Sequence, residues 1–151
     1  MKLPYPSPWN FSNSDANLTS PNLQYKVEYD DLYEIAMSGP LGACCYLLFE
    51  NQKVKLHDWA SGPVVWEESG NKVAFPIWTQ KRKQQLAVFD VTILTLTTFQ
   101  HLFSVLHLTH FKGDTIVGVH SPIYQPEVLT INLNQAPIEN SLRLKTSDCS
   151  N

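Results

Sequence analysis

Four histidines lie close together in the chain, His101, His107, His110 and His120. The spacing His107-x-x-His110 invites zinc chemistry, because Zn²⁺ takes three or four tetrahedral donors at about 2 Å and imidazole is a common one. On a helix, positions three apart share a face. On a strand side chains alternate, so His107 and His110 point to opposite sides and do not converge. Neither HExxH nor Cys-x-x-Cys occurs. Ordinary partly buried histidines are therefore the expectation, with no metal and no cofactor.

Nucleophilic chemistry has less support. The chain has no G-x-S-x-G elbow. Cys44 and Cys45 are adjacent inside an apolar run, on opposite faces of a strand, and a buried thiol is inert. Three cysteines, with Cys149 in a polar tail, make no disulfide framework. The carboxylate pairs Asp30-Asp31 and Glu67-Glu68 diverge on a strand, which is poor geometry for acid–base work. The six glycines are scattered and form no phosphate loop. These residues read as a protein that is not an enzyme.

Two features fit binding better. Glu28, Asp30, Asp31 and Glu34 form an acidic run partly relieved by Lys26. Such a run is a solvated edge or a patch that steers a basic partner. Trp59, Trp66 and Trp78, with Tyr46, cluster around the centre of the chain. Trp66 and Trp78 read as core, whereas Trp59 beside Asp58 is the candidate for partial exposure and an interface anchor.

The elements that must position these residues are strands. The stretch 62–99 reads as four, at 64–68, 72–78, 84–91 and 93–99, separated by turn-length polar segments. Further strands are expected at 25–29, 43–49, 53–59, 114–120 and 127–133. The nearly continuous apolar run 43–49 suggests a central strand covered on both faces. Residues 30–37 read either as a short helix or as strand, and 101–111 reads as strand in preference to helix. Phe49, Phe89 and Ile131 end similar strands at a period of about 40 residues, a spacing seen in propeller blades. A closed propeller needs more blades than this chain can supply. The expectation is an all-β antiparallel meander of about 8–10 strands with blade-like repeats, in open or sandwiched sheets, with one short helix as an option. Residues 1–24 read as an N-terminal arm, 25–133 as the β domain and 134–151 as a polar C-terminal tail.

The net charge of −3 and pI near 5.9 give no basic face for nucleic acid. No apolar run reaches signal-peptide or membrane-spanning length, so a cytoplasmic chain without membrane contact is expected.

The patterns running from Leu18 through Tyr25-Lys26-Val27-Glu28-Tyr29 to Pro40, then His57-Asp58-Trp59 to Glu67, and Val73-Ala74-Phe75-Pro76-Ile77-Trp78-Thr79, resemble small bacterial immunity proteins. These are encoded beside polymorphic or contact-dependent toxins. The resemblance spans about residues 18–133. It implies a cytosolic inhibitor that binds one cognate toxin domain and blocks its action. Many such toxins are basic nucleases, so the resemblance makes Asp30, Asp31 and Glu34 candidates for mimicking their substrate. Glu67, Glu68 and Trp59 join them if the repeat units are neighbours. The leading reading is thus a non-catalytic protein-binding module. A small-ligand-binding or structural β domain comes second, and a metal-dependent enzyme using His107, His110 and His120 third.

Overall fold

The computed structural model describes residues 6–35, 39–123, 125–145 and 147–148. The Cys149 thiol and residues 36–37 of the ambiguous 30–37 segment lie outside them. The strands are β1 (Lys26–Tyr29), β2 (Tyr33–Glu34), β3 (Leu41–Phe49), β4 (Gln52–Ala60), β5 (Val65–Trp66), β6 (Lys72–Trp78), β7 (Gln84–Asp90), β8 (Thr95–Phe99), β9 (Leu106–Lys112), β10 (Thr115–His120), β11 (Glu127–Asn132), β12 (Ile138–Arg143) and β13 (Ser147–Asp148). A 3-10 turn at Ala16–Leu18 is the single helical element among the described residues. The protein is all-β and antiparallel, and its sheets do not close into a barrel.

One sheet runs β1-β3-β4-β6-β7-β8-β12, with β2 on β3, β5 on β6 and β13 on β4; a second runs β11-β10-β9. The long sheet turns a corner. β4 meets β6 through one residue pair, Ala60 with Ile77. The β1-β3-β4 part therefore lies over the β6-β7-β8 part, and a core fills the space between them. Val27, Tyr29, Cys45, Leu47, Val54 and Leu56 come from one side, and Val73, Phe75, Ile77, Ala87 and Phe89 from the other. The opposite face of the middle layer carries Ala74, Leu86, Val88 and Phe99, which pack against Leu106, Leu108, Phe111 and Ile116 of the second sheet. The result is three layers with two cores.

This arrangement relocates the doubly covered strand. β6 and β7 are buried at almost every position, while β3 alternates, leaving Cys44, Tyr46 and Leu48 half-buried on an open face. The 43–49 run is apolar on both faces but covered on one. Pro76 sits inside β6 without cost to the ladder. Its carbonyl accepts from Ser61 N–H (2.8 Å), so its nitrogen faces the same side, where β6 has no full-length partner.

The N-terminal segment is built into the first core. Phe11 is buried against Tyr29, with ring centroids 5.0 Å apart, and Leu18 is buried with it. Asn13 acts in place of a strand. Its side-chain amide donates to Tyr29 O and its Oδ1 accepts from Tyr29 N, each at 2.8 Å. Trp66 Nε1 donates to Leu18 O (3.1 Å) and Asn17 Nδ2 to Val64 O (2.7 Å), tying the 3-10 turn to β5. At the other end, residues 138–143 form an edge strand on β8.

The third layer is pinned by Gln84. Its backbone exchanges both hydrogen bonds with Phe103 (2.7 and 2.8 Å), and its buried Oε1 accepts from Leu106 N–H at 2.6 Å. That bond fixes where β9 begins.

Candidate functional site

Of the acidic residues singled out in the sequence, the open face of β1-β3-β4 carries Glu28 and Asp30. Register places Lys26 beside Leu48 and Lys53, and Glu28 beside Tyr46 and Lys55. Asp30 follows beyond β1, its N–H donating to Cys44 O at 2.9 Å. Register shifts in the β3–β4 pairing bring Asp58 onto this face as well, where it pairs with Lys55 at 3.0 Å and its Oδ1 stands 4.0 Å from Cys44 Sγ. The face is thus graded in charge, with Lys26 and Lys53 at one end and Asp30 and Asp58 at the other.

Tyr46 stands in the middle of that gradient. Its hydroxyl donates to Asp30 Oδ2 (3.1 Å), and Lys53 Nζ lies 4.1 Å from its ring centroid. The Cys44 thiol, partial desolvation and the Asp30 carboxylate together hold the phenol well above its ordinary pKa, so it stays a neutral donor. Asp31 and Glu34 are exposed beyond this end, Glu34 in β2 paired with Leu41. Trp59 is half-buried next to Asp58, its backbone N–H donating to His57 Nδ1 at 2.9 Å while its indole Nε1 is buried without a partner. Burial pushes His57 below its usual pKa against the pull of Asp58, and the bond from Trp59 uses the lone pair of the neutral ring.

Glu67 and Glu68 belong elsewhere in the fold. Glu67 Oε1 accepts from Gly113 N–H (3.1 Å) in the β9–β10 turn, while Oε2 accepts from the backbone and side chain of Ser69. Partial burial pushes this carboxyl up, yet Ser69, Gly113 and Lys72 outweigh it and hold the pKa below the usual range. Glu67 clamps the β5–β6 turn to the third layer, and Glu68 is exposed beside it. The structure gathers Asp30 and Asp58 on one face, with Trp59 beside them, and sets Glu67 against another layer. Asp58 is the member that strand alternation conceals, because a register shift places it.

The described residues also form a cleft of about 540 Å³ where the N-terminal segment and β5 meet β9. Pro21, Pro63, Val64, Trp66 and Leu108 give it apolar walls, and Asn17, Thr19, His107, Thr109 and His110 supply polar groups. Asn17 Oδ1 is buried with no hydrogen-bond partner. The volume is in the range of small-ligand sites.

The expectation that His107 and His110 face opposite sides is overturned here. β10 pairs Val117 with His110 and Gly118 with Leu108, so Thr109 is an extra residue, a β-bulge. Leu106, Leu108 and Phe111 point into the core, while His107, Thr109 and His110 all point out. His120 and His101 do not join them. His120 Nε2 accepts from Ser104 N–H (3.1 Å), and both rings lie against Phe103. No group of three or more His, Cys, Asp or Glu side chains converges as a metal cage among the described residues.

The chain matches no family model, no curated protein and no solved structure. Among the described residues no helix is long and apolar enough to cross a membrane.

Proposed function

We propose that this chain is a non-catalytic, cytoplasmic protein-binding module, an immunity-type inhibitor that neutralises a cognate toxin domain through the open face of β1-β3-β4. The observation that carries the reading is the charge-graded face itself. Its acidic end, Asp30 and Asp58 flanked by Asp31, surrounds a tyrosine held between a carboxylate and a lysine. Aromatic anchors ringed by polar groups supply most of the energy in protein interfaces. The carboxylates supply long-range attraction for a basic partner.

The test is co-expression and co-purification with the product of the neighbouring gene, where an inhibitor of this class has its toxin. A one-to-one complex that silences toxicity supports the reading, and no complex sinks it. Within a complex, Asp30→Lys with Asp58→Lys should slow association about tenfold or more and flatten its salt dependence. An unchanged rate would remove this face from the interface.

A second reading, a small-ligand-binding β domain, is favoured by the cleft between β5 and β9. Its walls are mostly apolar, with polar groups from the N-terminal segment and from β9.

A further inference from the structure

We propose that His107 and His110 form a two-histidine site for a divalent transition metal, Zn²⁺ foremost, on the open side of β9. This goes beyond the protein-binding reading and stands or falls without it.

The first support is spacing. The bulge at Thr109 makes two residues three apart in sequence behave as neighbours on one strand face. His107 and His110 stand opposite Val119 and Val117, two residues apart on β10, a backbone separation of about 6.7 Å with Thr109 bulged between them. Two imidazoles at that separation can lean together onto one ion at about 2.0–2.1 Å from each nitrogen.

The second support is the hydrogen bonding behind the His110 ring. Thr109 Oγ1 has one proton and gives it to Val117 O at 3.1 Å. The 3.0 Å contact between His110 Nδ1 and Thr109 Oγ1 must therefore be an N–H donated by the ring. That fixes the tautomer and leaves Nε2 of His110 with a free lone pair. His107 is half-buried on the same outward face of β9, and as a neutral imidazole it carries one unprotonated nitrogen. An imidazole whose far N–H is anchored on a carbonyl or a fixed hydroxyl is how proteins present histidine to a metal.

Two imidazoles select borderline ions such as Zn²⁺, Cu²⁺ and Ni²⁺ over Mg²⁺ or Ca²⁺, which prefer oxygen. The site is open, with room on the ion for a ligand in the cleft.

The experiment is calorimetric titration of ZnCl₂ into the full chain at neutral pH, with the variants His107→Gln, His110→Gln, Thr109→Val and His101→Gln. The expected result is one Zn²⁺ per chain. Either site histidine should cost at least tenfold in affinity, and Thr109→Val about tenfold through loss of the anchoring hydroxyl. His101→Gln should change nothing. The proposal is overturned if the wild-type chain takes up no Zn²⁺ at millimolar concentration, or if the His107→Gln/His110→Gln double variant binds as tightly as wild type. Both rings point outward and valine keeps the β-branched shape at position 109, so circular dichroism should show the fold intact in every variant.

Discussion

Phe11→Ala is the sharpest test of how the first core is assembled. Phe11 is only 1% exposed although it sits among serines and asparagines, and its ring lies 5.0 Å from that of Tyr29. Gly62 closes the other side so tightly that an added Cβ would come within 2.9 Å of the Phe11 ring. A fully buried aromatic side chain removes about 150–250 Å² from water, or about 4–6 kcal/mol at about 25 cal/mol per Å². Alanine recovers part of that and leaves a cavity, so the loss should be about 3–5 kcal/mol. For a chain of this size that is a fall of about 6–20 °C in Tm. Urea unfolding followed by tryptophan fluorescence reads it directly, because Trp66 is buried in the same core. Leu23→Ala is the matched control: it lies in the same segment but is 81% exposed, and should stay within about 0.5 kcal/mol of wild type. If Phe11→Ala lost less than about 1 kcal/mol, the segment before β1 would be an appendage and the layered description of the core would be wrong.

Gln84→Leu should destabilise by about 1–2 kcal/mol in the same assay. It orphans the N–H of Leu106, and removing the unpartnered Nε2 of Gln84 offsets part of the cost. Acid should weaken the fold in a defined window. The depressed pKa of His57 means the unfolded chain protonates first, at about 6.5. Its stabilisation is complete above that pH and is lost as pH falls through the folded-state value. Tm measured from pH 7.5 to 5 should drop, and His57→Gln should shallow the drop; an identical acid limb in the variant would refute the assignment.

The strands of the middle layer were legible because their β-branched and aromatic residues run between clear turns, as at Ser69-Gly70-Asn71, where Gly70 takes a positive φ. Other parts left no local signal. Phe11 and Leu18 are isolated apolar residues, and Asn13 earns a strand-like role through its side chain, which composition scores as loop. β12 is exposed at every position, so no alternation marks it; its backbone pairing with β8 and the Gln85–Glu139 contact at 3.0 Å hold it. For the candidate sites, Asp30 and Trp59 could be nominated from residue type. The places of Asp58 and His110 depend on register shifts, which are agreements between two strands and cannot be read from one.

The single Ala60–Ile77 bridge divides the molecule's cooperativity. β1, β3 and β4 are joined to the rest of their sheet by one ladder pair, the Ser61–Pro76 bond next to it, the bond from Trp78 Nε1 to Leu41 O (3.2 Å) and side-chain packing, whereas β6 and β7 pair along their whole length between two cores. The outer layer can therefore open as a unit at less free energy than global unfolding, with amide exchange in β3 and β4 reporting that opening and β6–β7 reporting the whole. A partner that recognises the assembled outer face would draw on that opening equilibrium. Its binding would appear as slowed exchange across Leu41–Phe49 and Gln52–Ala60, larger than the slowing in Lys72–Trp78.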